Sequence, residues 1–346
     1  MPTGRFTLIM LPNLSRLRST RKFRWPKLHW PRTRWFYGLV SFVVMTSIVL
    51  GSAAATPAKD AQPAQTTQQA QEKGIFDILR GAGSIFQGIQ LESMGPQREM
   101  QYGTQIDAQI KRQLANNRTP VVSPDHEASQ YINALGQKMV AQLTPEERRV
   151  HKDKTGEGIQ YTFQVVNDPG INAFATMGGF VYINSGLIAF AETESELTSV
   201  IGHEMGHIIE RHAIKQTKDE AIRRGLLTAA GLGNDQIVNL GVTVALTLPN
   251  SRAAETESDE IGLNLLRRID YYPPGMPDFM AKLGQQSRGG PPQILSTHPN
   301  PNGRAEHLRE ILAENPPAPE DNLGNDPAAY CNRIRSFFRN AITCPV

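Results

Sequence analysis

The sequence predicts an α+β fold, mostly helical, with a small mixed sheet beside one central helix. Three observations carry this. Residues 160–166 (Gln-Tyr-Thr-Phe-Gln-Val-Val) alternate as a half-buried strand does. Two short apolar runs, 171–175 and 180–183, flank Gly178-Gly179 and suggest a hairpin or kinked ribbon. Long segments after residues 193 and 251 carry apolar residues at helical spacing. No repeat at 20–50 residues is apparent, which argues against an appended helical array.

The chain has 346 residues, 39% apolar and 20% charged, enough for one substantial domain with appendages or two small ones. Its net charge of +3 hides an asymmetry. Residues 1–34 hold nine Lys or Arg and no acid, so the remainder is net −6. A nucleic-acid partner would need a folded body that is net basic, and this one is net acidic. An apolar run, Trp35 to Leu50, follows the basic tail and leads into the small residues Ala53-Ala54-Ala55. Its length fits either a signal peptide cut near Ala55 or Ala58, or an uncleaved membrane anchor over 35–55. Both readings keep residues 1–34 in the cytoplasm and export the body, as a periplasmic or membrane-anchored protein.

Residues 56–73 are rich in Gln, Ala and Pro, and read as a disordered linker. The folded domain is expected over 74–314. It opens with an amphipathic strip at 75–91, read as packing on the domain rather than on a membrane surface. A helix follows at 125–143. Another starts at Thr193, where Thr193 and Glu196 fit a capping box, and runs to about Arg211 or His212. Residues 225–248 are Gly-, Ala- and Leu-rich, but Gly233-Asn234-Asp235-Gln236 divides them into pieces too short to span a bilayer. Ser251 caps a helix over 252–268. Shorter helices are expected near 277–285 and 302–314, with a C-terminal extension over 315–346. The only two cysteines, Cys331 and Cys344, are a candidate disulfide or two free thiols.

His203-Glu204-Met205-Gly206-His207 carries the chemistry. On a helix, positions i and i+4 share a face one turn apart, so both imidazoles can reach one metal ion. Neutral imidazoles suit zinc, which in catalytic sites keeps an open position. Glu204 can then take a proton from water activated by the zinc and pass it to a leaving amine. Chance occurrence of this pattern in a chain of such composition has odds on the order of one in a hundred. A third ligand is required. A His six residues after His207 is absent, Ala213 standing there, and a continuing helix would point His212 elsewhere, as a structural or exposed residue. Glu255 is the better candidate, with Asp259 four residues on, placed to accept the outer N–H of a ligand histidine. Glu257 is a weaker choice. By spacing alone, a merely solvated acidic helix face remains open.

These residues, with Asn172-Ala173-Phe174-Ala175, Gly178-Gly179, Ser251 to Asp259, Ser296-Thr297-His298-Pro299 and Arg304, resemble the gluzincin peptidases of the CAAX prenyl endopeptidase, HtpX, BepA and LoiP type. The likeness covers about residues 95–312. It implies a zincin-like, minimal gluzincin domain holding one zinc per chain on His203, His207 and Glu255. It implies that Asn172, Ala173 and Phe174 lie on the strand that pairs with an extended polypeptide substrate. It also implies that His298 closes over the zinc or helps hold the transition state. Ser258 departs from the family's usual Ala and is expected to face away from the metal. The multi-span membrane segments of the prenyl and heat-shock members are absent, which points to the exported, single-domain branch.

The expected function is zinc-dependent hydrolysis of peptide bonds in misfolded or misassembled envelope proteins, with Glu204 as general base. The alternative is a latent or non-catalytic zinc protein acting as an envelope assembly chaperone. Oligomeric state is not legible.

Overall fold

The computed structural model describes residues 91–149, 158–226, 232–286 and 291–338. The expected basic tail, signal or anchor, and linker lie outside these residues, as does nearly all of the 75–91 strip. Helix α1 (Pro96–Asn116) is followed by α2 (Glu127–Val140), which starts where the His126 ring accepts the Ala128 N–H.

Strand β1 (Thr162–Val166) runs parallel to β3 (Phe180–Asn184), and β2 (Ala173–Thr176) runs antiparallel to β3. The order β1-β3-β2 gives the small mixed sheet the sequence predicts and leaves β2 on an edge. Glycine is needed at the β2–β3 turn, because Gly178 and Gly179 take φ of 84° and 95°, where a side chain is strained.

Short α3 (Ser185–Phe190) leads to the central helix α4 (Glu194–Ile209). Thr193 caps α4 by accepting the Glu196 N–H, but only half of the expected capping box forms. The Glu196 carboxylate reaches back to the Glu192 N–H instead, and pairs with Lys282. Every residue of α4 from Ser195 to Ile208 is buried, as for a helix enclosed by its own domain.

The chain departs from expectation after α4. The helix stops at Ile209, Arg211 adopts a left-handed φ of 59°, and a separate helix α5 (His212–Arg223) begins. Neither Gly nor Pro announces this break. Arg211 is held there by donating to the Glu92 and Met94 carbonyls and by pairing with buried Glu99.

Helix α6 (Asn234–Thr247) is followed by α7 (Arg252–Arg268), capped by Ser251 accepting the Ala254 N–H. Then come α8 (Gly275–Gln285), α9 (Ile294–Thr297), α10 (Pro301–Glu314) and α11 (Pro327–Arg335). Tyr330 and Ile334 of α11 are buried in the same core as Leu197, Ile201 and Leu266, so this part of the segment after 314 packs on the domain. Cys331 is disulfide-bonded. Its expected partner Cys344 lies outside the described residues.

The contact between α4 and α7 positions the site. A Cβ on Gly206 would lie 2.7 Å from the Ser258 Cα, and one on Gly262 would lie 2.9 Å from the His203 backbone nitrogen. Glycines let the two backbones approach this closely, and that brings Glu255 beside His207. Ser258 is buried in this contact, which demands a small side chain at its position. Among the described residues no helix is long and apolar enough to cross a membrane.

Candidate metal centre and catalytic cleft

Helix α4 presents His203, Glu204 and His207 toward one point, and α7 brings Glu255 to it. The His203 and His207 Nε2 atoms are 3.0 Å apart. Glu255 Oε1 lies 3.3 Å from His207 Nε2 and Oε2 lies 3.6 Å from His203 Nε2. His298, on the loop after α9, adds Nδ1 at 3.2 Å from His203 Nε2 and 3.1 Å from Glu255 Oε1. One ligand atom from each of these four buried residues lies within 4.8 Å of all the others.

The tautomers can be worked out from the carboxylates. Asp259 accepts only, so His203 Nδ1 donates to it across 2.7 Å and Nε2 keeps its lone pair. His207 is held less directly. Its Nδ1 meets His212 Nδ1 at 2.9 Å, and His212 Nε2 meets the Glu257 carboxylate at 3.0 Å. His212 therefore donates to Glu257 and accepts from His207, which leaves the His207 Nε2 lone pair free. Burial holds both His207 and His212 below the usual histidine range, keeping the rings neutral.

Two lone pairs and a carboxylate thus converge in a buried space, an arrangement that a cation reconciles. The charge balance agrees. Glu204, Glu255 and Asp259 are three buried carboxylates, and Arg304 of α10, its side chain 10% exposed, is the one guanidinium among the described residues that pairs with them. A divalent ion would supply positive charge that one guanidinium does not. Two imidazoles and one carboxylate form a donor set suited to zinc.

Burial works to raise the Glu255 carboxyl, but His298 and His203 outweigh it and hold it well below the carboxylate range. Glu204 behaves oppositely. Burial pushes it up, His298 and His203 pull the other way without prevailing, and neither of its oxygens has a hydrogen-bond partner among the described residues. His298 Nε2 stands 3.5 Å from Glu204 Oε1. A buried carboxylate without a hydrogen bond, beside the ligand atoms, is chemically available as a base. Burial opposes charge on His298, but Glu255 and Glu204 together raise it above the usual range.

A narrow open cleft runs over Glu204, His207 and His298. Of the three residues expected to meet substrate, Phe174 lines it, while Asn172 and Ala173 are buried and do not. Ala175, Thr176 and Met177 continue the wall, so the cleft follows the later part of edge strand β2. Phe174 is stacked on Tyr182 with centroids 4.5 Å apart.

Sequence reasoning missed His212, whose role depends on the break at Arg211 turning it back under His207. It also missed Asn250, whose Nδ2 lies 3.5 Å from His207 Nε2. For His212→Ala we expect metal affinity to fall roughly 10- to 100-fold, as when a partner of a ligand imidazole is removed. Competition against a calibrated chelator would measure this, and unchanged affinity would refute the His207–His212–Glu257 chain.

The sequence profile of peptidase family M48 matches residues 137–312. A putative beta-barrel assembly-enhancing protease of Vibrio cholerae is 33% identical over 235 residues, 64% of this chain and 45% of that one. The mitochondrial metalloendopeptidase OMA1 of Saccharomyces cerevisiae is 29% identical over 233 residues, 63% of this chain and 65% of that one. The metalloprotease LoiP of Escherichia coli is 30% identical over 166 residues, 46% of this chain and 64% of that one. The chain spans less than half the length of the beta-barrel assembly-enhancing proteases it matches.

Proposed function

The chain belongs to peptidase family M48, and from that premise we propose that it is a zinc-dependent endopeptidase acting on extended segments of misfolded or misassembled envelope proteins. The observation that carries this is the convergence of His203, His207 and Glu255 beside the Glu204 carboxylate, which makes no hydrogen bond among the described residues. These three residues would hold one zinc per chain, with Asp259 orienting His203. Bound there, zinc supplies a Lewis acid that polarises a carbonyl and lowers the pKa of water to about 7.

The chain's own groups do the rest. Glu204 takes a proton from the attacking water and returns it to the leaving amine. The edge of β2 offers main-chain hydrogen bonds to an extended peptide, with Phe174 on the cleft wall. Relatives named for beta-barrel assembly support envelope proteins as substrates, and the basic tail before an apolar run supports export and membrane association through residues 35–55.

Purified full-length chain should contain one zinc and cleave casein. Removing the metal with 1,10-phenanthroline should abolish cleavage, and added zinc should restore it. Absence of stoichiometric zinc would sink the reading. Zinc without cleavage would favour the latent reading, which the nearness of His298 Nδ1 to the ligand atoms supports. His298→Ala would then be the variant to assay.

A further inference from the structure

We propose that the side-chain amide of Asn250 is a catalytic residue, donating a hydrogen bond to the scissile carbonyl oxygen as negative charge builds on it. This rests on the peptidase reading above.

Asn250 precedes the Ser251 cap of α7 and is pinned at two points. Its backbone N–H donates to the Thr297 carbonyl at 2.9 Å, and its Oδ1 accepts from Gln216 Nε2. Both anchors leave Nδ2 pointing into the centre, 3.5 Å from His207 Nε2 and 3.5 Å from His298 Nδ1. The orientation follows from its neighbours. Oδ1 is committed to the Gln216 donor, so the NH2 end is turned to the centre, and before a metal takes the His207 Nε2 lone pair a donor suits that place better than an oxygen. Contacts of 3.5 Å lie at the outer limit of hydrogen bonding, so these N–H groups are only weakly engaged. Asn250 is half-buried and lines the same cleft as Glu204.

A neutral donor suits this place. Lys or Arg here would pair with Glu204 and neutralise the base, whereas an amide does not. In the reaction, water oxygen bonds to the carbonyl carbon, the C=O π pair moves onto oxygen, and Glu204 takes the water proton. The oxyanion pair then re-forms C=O, the C–N pair leaves with nitrogen, and Glu204 returns its proton to that amine. Asn250 transfers no proton. It stabilises the oxyanion, and one such donor contributes about 10²- to 10³-fold in kcat.

The test uses full-length chain, a peptide substrate derived from a casein site that wild type cleaves, and a phosphinic peptide mimicking the tetrahedral state. Asn250→Ala should lower kcat about 10²- to 10³-fold with KM within about threefold. Phosphinic-peptide affinity should fall in step with kcat, and product-peptide affinity, zinc affinity and Tm should hold. Asn250→Asp, which accepts instead of donating, should do no better. Gln216→Ala keeps Asn250 but frees it, and should lower kcat by a smaller factor even if Asn250→Ala fails to fold. Unchanged kcat in Asn250→Ala or Gln216→Ala overturns the proposal. So does a loss that tracks zinc affinity, which would make Asn250 a structural tie. Wild type that cleaves nothing would instead overturn the peptidase reading itself.

Discussion

Glu204→Gln is expected to lower peptide hydrolysis on the order of 10³-fold while the chain keeps its zinc. Glutamine has nearly the shape of glutamate but cannot take a proton. The substitution removes the base and leaves His203, His207 and Glu255 untouched. Retention of metal follows from geometry, since neither Glu204 oxygen is among the converging ligand atoms. Stability should not suffer. Both oxygens are buried without a hydrogen-bond partner, and the burial cost of the charge offsets the loss of the 3.5 Å pairing with His298, so a neutral amide should change stability little. Activity, zinc content and Tm measured together decide the matter. Lost activity with lost zinc would mean that Glu204 is structural, and retained activity would mean that another group is the base.

The legible and illegible parts of this site divide along one physical line. Local periodicity is written in neighbouring residues. The helix under His203 and His207, the Ser251 cap and the Gly178-Gly179 turn could therefore be read directly, and the small mixed sheet followed. Long-range approach is written only weakly. Glu255 reaches the imidazoles because Gly206 and Gly262 let α4 and α7 touch, and spacing alone could not separate it from a solvated acidic face. The expectation that His212 points away from the site failed because it assumed a continuous helix, whereas its reading as a structural residue fits its burial. A left-handed arginine at 211, held by Glu99 and two carbonyls, turns His212 inward. Asn250 carried no signal beyond standing before a cap, since its anchors Gln216 and Thr297 are far away in sequence.

Arg304→Ala is expected to cost about 3–5 kcal/mol of stability, because it strands two buried carboxylates. The Arg304 guanidinium grips Asp259 with two parallel bonds, Nε to Oδ2 at 2.7 Å and Nη2 to Oδ1 at 2.6 Å, and its Nη1 pairs with Glu255 Oε2. Burial penalises Asp259 most, yet Arg304 and His203 still hold its carboxyl below the usual range. Without the guanidinium, three carboxylates share a pocket with no fixed positive charge. Zinc can offset Glu255 but not Asp259, and a destabilised Asp259 no longer holds His203 in the right tautomer. Zinc affinity should therefore fall along with Tm, by more than in His212→Ala. Arg304→Lys separates charge from geometry. It keeps +1 but loses the fork that spans both acids, so it should recover only part of the loss. Arg304→Met keeps much of the stem and should match alanine if charge dominates, or approach wild type if packing does. Thermal melts of apo and zinc-loaded protein, with chelator competition, distinguish these cases. A wild-type Tm in Arg304→Ala would refute the charge balance drawn for the site.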